Sequence, residues 1–190
     1  MLARAIVAFG LASGLATGGL LAQQPAHGPQ GQPNLVVSDS TSFWIAPPDG
    51  WVFDAESGKR EGLLAVFYRK GQSWRTAEPL MHASVITRKI GYNAVIPAAI
   101  RSDSANWAGT AKDFVFVVRD SVRTNSGVMA HLRSYRSVSS KQFDTVAYYQ
   151  GDERTWMITL TARSLAAHDA AYADFMALVK SFAPGPDQKP

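Results

Sequence analysis

The sequence predicts an α+β fold: a single antiparallel sheet of about six to eight strands with helices on both faces, an α/β/α sandwich. Three observations predict it. In Arg154–Ala162, Trp156, Ile158, Leu160 and Ala162 alternate with Thr155, Met157, Thr159 and Thr161, the period of a strand whose two faces meet different surroundings. Directly after it, Tyr172, Phe175, Met176, Val179 and Phe182 fall on one helical stripe, so the chain turns from strand into a helix that must lie back across the sheet. Upstream, short apolar runs are separated by turn formers, which is how strands joined mostly by hairpins read.

Taken in order, Thr41–Ile45 is a short strand stopped by the turn-rich Ala46-Pro47-Pro48-Asp49-Gly50, and Trp51–Asp54 is the next. Leu63–Tyr68 is a continuous apolar run, the mark of a strand covered on both faces. A polar loop over 72–79 leads to a strand from Met81 to Arg88. Ile96–Ala108 is a helix with Pro97 in its first turn, where a missing N–H costs nothing, and with Gly109 as its stop. Ile96, Ile100 and Trp107 share one side of it, with Ala99, Ala105 and Ala108 as small neighbours. Phe114–Arg119 and Val128–Tyr135 pair antiparallel across Thr124-Asn125-Ser126-Gly127, and Phe143–Gln150 and Arg154–Ala162 pair across Gly151-Asp152-Glu153. The last helix starts at Leu165 with Ser164 as N-cap, carries Lys180 in its final turn and stops before Pro184-Gly185-Pro186. No internal repeat is visible.

The first residues read as an address. A short cationic start containing Arg4 precedes 18 apolar and small residues, Ala5–Ala22, and Gln23-Gln24-Pro25 breaks the run. This is the pattern of a secretory signal peptide removed after Ala22, with a retained membrane anchor as the alternative. The expected organisation is a signal peptide over 1–22, a disordered Pro-, Gly- and Gln-rich tether over 23–40, one domain over 41–183 and a disordered tail over 184–190. Without cysteine there is no lipidated terminus, no disulfide and no thiolate chemistry. The product is therefore expected in the periplasm or secreted, held by its core alone and not inserted in the membrane once cleaved. Of 19 Lys and Arg, losing Arg4 leaves 18 against 15 Asp and Glu, a net +3, too mild and too interspersed to predict a nucleic-acid partner.

The stretches Phe43–Trp51 (FWIAPPDGW), Gly62–Trp74 (GLLAVFYRKGQSW), Thr155–Ser164 (TWMITLTARS) and Phe175–Phe182 (FMALVKSF), in this order, resemble the PsbP-like and DcrB-like superfamily. The resemblance covers Phe43–Phe182 and includes exported bacterial proteins of unknown function. It implies an α/β/α sandwich, shared with a nuclear Ran-releasing factor, and a role in binding. Members of the superfamily serve as an extrinsic subunit of a photosynthetic complex, as envelope proteins and as chaperones of secreted effectors. No catalytic motif accompanies the resemblance.

A search for chemistry finds no GxSxG elbow, HExxH pair, phosphate loop or GxGxxG turn, so no catalytic residue, cofactor or metal is predicted. His27 lies in the tether, His82 and His131 in strands, and His168 in the last helix. Strand histidines are mostly packed or solvated; His82 stands out because it enters its strand from an unusual loop. Asp152 and Glu153 form an acidic turn, and Arg119, Arg123, Arg133 and Arg136 a basic strand face, both read as ordinary solvated surface. Trp74 sits in the polar stretch Gly71–Pro79 (GQSWRTAEP), with Arg75 and Glu78 beside it. Loops carry recognition, and Trp and Arg are enriched where binding energy concentrates. Trp74 is thus either an exposed anchor or a lid folded onto the sheet edge. The function expected is a non-enzymatic exported binding or accessory domain acting on a protein or envelope partner through Trp74, Arg75, Glu78 and His82. The alternatives are a hydrolase built on His82 or His131, and a carrier with an apolar pocket between sheet and helix.

Overall fold

A computed structural model describes residues 33–39, 41–87 and 95–186; the expected signal peptide, most of the tether and residues 187–190 lie outside the described residues. The elements are β1 (Asn34–Ser38), β2 (Thr41–Ile45), β3 (Trp51–Asp54), a 3-10 turn (Lys59–Glu61), β4 (Ala65–Arg69), β5 (Leu80–Thr87), α1 (Ile96–Ala108), β6 (Val115–Val118), β7 (Val122–Arg123), β8 (Met129–Ser137), β9 (Gln142–Gln150), β10 (Arg154–Ala162), α2 (Leu165–Ser181) and β11 (Ala183–Pro184).

The large sheet has eight strands in the order β3-β4-β5-β10-β9-β8-β6, with β7 pairing further along β8. Every pairing in it is antiparallel. The β8–β9 and β9–β10 hairpins place His131 opposite Tyr148 and Trp156 opposite Tyr149. Gly151 turns the second hairpin, and the Trp156 ring lies 2.6 Å from where its Cβ would stand, so no larger residue fits without a shift. The expected sandwich is present.

The period-2 pattern of β10 sorts its side chains between two cores. Trp156, Ile158 and Leu160 face α2 and pack with Phe67, Met81 and Phe175. Met157 faces the other way, with Tyr135, Val146 and Tyr148 under α1. Ser164 caps α2 by accepting from the Ala167 N–H at 3.1 Å, and α2 buries His168, Ala171, Phe175, Leu178 and Val179. Tyr172 and Met176 are only partly buried, so the buried stripe is rotated by about one residue from the expected one. The expected limits of α1 are observed, and Gln150 Oε1 accepts its Ile96 N–H at 3.0 Å. Asp103 sits among the buried residues of α1, which an apolar stripe does not announce.

A second, three-stranded sheet, β1-β2-β11, corrects two expected boundaries. Asn34–Ser38 is not tether: it pairs with β2 along its length and buries Val36 at 2% exposure. Residues 184–186 are not free tail, because Pro184 pairs with Phe43, the Gly185 N–H donates to Ser42 O, and Ser42 Oγ donates to Pro186 O at 2.6 Å. The prolines that end α2 are tolerated here because β11 is an edge strand, needing few donors. Val36, Phe43 and Ile45 point into the α2-side core, and Trp156 Nε1 donates to Thr41 Oγ1 at 2.8 Å across it.

Candidate functional site

The residues expected to bind lie on one loop and the strand after it, and the structure separates their roles. Trp74 is half-buried and packs against the cluster of Val52, Val66, Tyr68, Ala77 and Leu80. It is the lid of the two readings, not a bare anchor. Arg75 is exposed, its guanidinium 5.5 Å from the Trp74 ring centre. Glu78 holds the loop to the start of α2 by accepting from the Arg163 backbone N–H at 2.6 Å and from its Nε at 3.0 Å. His82 is half-buried in β5 opposite Val66 and Thr159, two residues from Leu80 and so on the same face as the Trp74 cluster. A loop pinned at Glu78 and roofed by Trp74 presents Arg75 together with Gln72, Ser73 and Thr76.

Polar groups outside the expected binding set form two largely buried constellations. On the α1 side, Tyr148 donates to Asp103 Oδ2 at 2.7 Å, and the Tyr135 and Tyr148 hydroxyls lie 2.8 Å apart. Burial, with Asp103 beside it, pushes the Tyr148 hydroxyl far above its usual range. Close by, Asp144 is buried, Gln142 Nε2 donates to its Oδ2 at a long 3.5 Å, and its Oδ1 has no hydrogen-bond partner. Burial raises its carboxyl to about 7, against weaker stabilisation from Thr161 and Gln142.

On the α2 side, polar contacts run from Asp169 Oδ1 to His168 Nδ1 (3.0 Å), from His168 Nε2 to Thr145 Oγ1 (2.9 Å), and from Thr145 Oγ1 to Ser134 Oγ (2.8 Å). Arg119 Nε then donates to Ser134 Oγ at 3.0 Å. Hydroxyl, imidazole and carboxylate stand in the order of an activated nucleophile. Thr145 is fully buried and His168 is 4% exposed, so a substrate cannot reach the hydroxyl and the chain of contacts fastens α2 to β8 and β9. A cleft at its end, lined by Arg119, Arg136, Phe143 and His168, has room for about one water molecule, far short of the ~300 Å³ a small-molecule site fills. His131 Nδ1 pairs with Ser121 Oγ at 3.1 Å on the exposed edge. Among the described residues, no group of three or more His, Asp or Glu stands close enough to hold a metal ion.

The outer side of the small sheet presents large apolar side chains to solvent, as does β6 at the edge of the large sheet. Leu35, Val37 and Trp44 are 39%, 56% and 38% exposed. The register sets Leu35 directly opposite Trp44 and Trp44 opposite Ala183, with Val37 one diagonal step away, so the three form a continuous surface. Its rigidity comes from the reverse side, where Val36, Phe43 and Ile45 are locked in the core.

No protein-family model matches this chain, and no curated protein matches it. Among solved structures, the solution structure of cyanobacterial PsbP (CyanoP) from Synechocystis sp. PCC 6803 superposes over 88% of this chain and 98% of its own, with a TM-score of 0.52 at 13% identity. The fold is PsbP-like. A crystal structure from Bacteroides thetaiotaomicron VPI-5482 aligns more loosely, over 76% of this chain and 46% of its own, with a TM-score of 0.40 at 9% identity. The PsbP-like fold is what the opening, middle and closing stretches resemble in sequence. No helix among the described residues is long and apolar enough to cross a membrane.

Sequence reasoning missed the small-sheet face because its residues were divided between an expected tether and a short strand. The signal was present: Leu35, Val36 and Val37 are an apolar run in an otherwise polar leader, and β2 sets Trp44 between inward-facing Phe43 and Ile45. A strand that alternates buried Phe43, exposed Trp44 and buried Ile45 displays its tryptophan.

Proposed function

We propose that this protein is a non-enzymatic accessory domain that docks a partner protein through the outer face of its small sheet. The single observation that carries the reading is the contiguous exposed surface of Leu35, Val37 and Trp44 on a rigid backing. Large apolar side chains gathered on one exposed face mark interaction sites, and a tryptophan at the middle of such a face is the residue type in which binding energy concentrates. The PsbP-like fold supports it, since the resemblance implies proteins that act by binding. The apolar run Ala5–Ala22 and its small-residue exit support a partner outside the cytoplasm, in the periplasm or cell envelope. Arg75, held over Trp74, and the exposed Ser73 and Thr76 of the same loop are a second polar surface that the partner reaches only if it is large.

The experiment is capture from an envelope extract with the purified protein as bait, comparing variants. Trp44→Ser and Val37→Asp are expected to weaken capture of the same partner, by about 2 kcal/mol or more for Trp44, while their unfolding midpoints stay near the parent's. Arg75→Ala is expected to leave capture unchanged. Loss of capture with Arg75→Ala and not with Val37→Asp would move the site to the loop. Equal co-sedimentation of parent and Val37→Asp with lipid vesicles, and no captured protein, would replace the protein partner by a membrane surface.

A further inference from the structure

The four arginines that the sequence sets on one solvated basic face are divided by the structure. Arg123 Nη1 donates to Gly127 O at 2.8 Å and Arg133 Nη1 donates to Leu132 O at 2.6 Å, so both reach backbone carbonyls. Arg119 and Arg136 instead line the cleft beside α2, with Ser134, Phe143, Leu165 and His168. Among the described residues neither has a carboxylate partner. Asp144 also lines the cleft, but the alternation of β9 turns its side chain to the α1 face with Val146 and Tyr148, where Gln142 Nε2 donates to it. The Asp169 carboxylate lies 3.0 Å from His168 Nδ1.

The register brings the two guanidiniums together. The Arg119 N–H donates to Leu132 O, so Arg119 stands beside Leu132, while Arg136 stands opposite Val115. Leu132 faces the α2-side core, and Arg119 and Arg136 share that face with Ser134 between them. Arg119 Nε donates to Ser134 Oγ at 3.0 Å. This contact draws the Arg119 side chain along the ladder to a point one same-face step, about 7 Å, from the Arg136 backbone. Ser134 Oγ is itself held 2.8 Å from Thr145 Oγ1, and Thr145 Oγ1 lies 2.9 Å from His168 Nε2. A buried row of contacts thus aims one cation toward another. Their repulsion is offset when an anion lies between them.

We propose that Arg119 and Arg136 form a binding site for a phosphate monoester, whose phosphoryl oxygens lie between the two guanidiniums. Planar guanidinium forks match phosphoryl oxygens in pairs. A monoester carries a charge of about −1.5 to −2 at neutral pH, which two arginines balance, whereas a carboxylate balances only one. The cleft has room for about one water molecule, which is the room one phosphoryl oxygen needs, so the organic part of the ligand lies outside it. There the half-buried Phe143 and the exposed Leu165 offer an apolar wall. The site belongs to the large sheet and uses none of the residues of the small-sheet face, so the two proposals stand or fall separately.

Calorimetric titration of the purified full chain with phenyl phosphate at low salt tests the proposal. The parent is expected to bind it saturably, and more tightly than inorganic phosphate, which lacks the apolar part, or benzoate, which lacks the second charge. Arg119→Gln and Arg136→Gln are each expected to weaken binding by about tenfold or more, and Arg136→Lys, which keeps the charge without the fork, by less. Arg136→Gln carries the test if loss of the Ser134 contact unfolds Arg119→Gln, as circular dichroism would show. Arg75→Gln, outside the cleft, is expected to bind as the parent does. Phosphatidylcholine vesicles with and without phosphatidic acid separate two sources of the same group. Sedimentation with the phosphatidic acid vesicles, lost in Arg136→Gln, places the monoester in a lipid headgroup, and phenyl phosphate binding without it places the monoester in solution. A parent that binds no phenyl phosphate overturns the proposal. So does Arg136→Gln binding as tightly as the parent, or Arg75→Gln losing as much as Arg136→Gln.

Discussion

At position 144 the sheet holds a carboxyl whose environment opposes its charge. Unfolded, it titrates near 3.8; folded, burial raises it to about 7. Between those values the folded state keeps a proton that the unfolded state has released, so this group's contribution makes stability fall as pH rises from about 4 to about 7 and stay level above. At 1.36 kcal/mol per unit the full span is on the order of 4 kcal/mol. Asp144→Asn cannot ionise. Urea unfolding at several pH values is therefore expected to show the Asn variant gaining on the parent between pH 4 and pH 7 and holding its advantage at higher pH. Nothing in the sequence around Asp144 announces this, because residues 144–149 of β9 are all buried, polar and apolar alike, alternate residues lying under each helix. Trp74 is a different case. Its polar neighbours made an exposed anchor and a lid equally readable, and packing on Val52, Tyr68 and Leu80 decides for the lid. Trp74→Ala is accordingly expected to cost about 1–3 kcal/mol in a denaturant titration. A cost within about 0.5 kcal/mol is the signature of a surface residue and would return it to solvent.

At the scale of elements, α2 is the support of the larger core. Phe175 is wholly buried between Tyr172 and the sheet, and Phe182 at the helix end stacks on Tyr149 at 4.0 Å. Phe175→Ala is expected to cost about 3–5 kcal/mol, read as a lowered unfolding midpoint. An unchanged midpoint would mean that the helix does not lie on the sheet. Arg69 and Trp51 hold the same helix from the other side: Asp174 Oδ2 accepts from Arg69 Nη2 at 2.7 Å and from Trp51 Nε1 at 3.1 Å, with the guanidinium 4.6 Å from the Trp51 ring centre. Helices and hairpins were legible because each follows from local periodicity and caps: Ser164, Pro97 and the alternation of β10 say where they begin and which way they face. β1 and β11 were not. Two residues cannot show a period, and Ala183-Pro184 becomes a strand through β2 alone, a contact that joins chain segments far apart in sequence.

For the whole molecule, two unequal sheets share one core, and the inner sides of both explain most of the sequence. What remains is the outer surface, where the small sheet shows Leu35, Val37 and Trp44 to solvent and the large sheet shows β6. The exposed small-sheet face was only partly legible in the sequence: the run Leu35–Val37 marks one strand, but the face exists only once β1 pairs with β2 and sets Leu35 beside Trp44. The stretch around Trp74 was legible as a loop, while its inward packing depends on a cluster drawn largely from β3, β4 and β5. The small-sheet face is proposed as the surface a partner covers. Site-specific photo-crosslinking in cells of the native host tests it most directly, with the reactive side chain placed at Val37 in one strain and at Thr76 in another. A discrete adduct between this chain and one other protein is expected from position 37, and none from position 76. An adduct from position 76 with none from position 37 would contradict it.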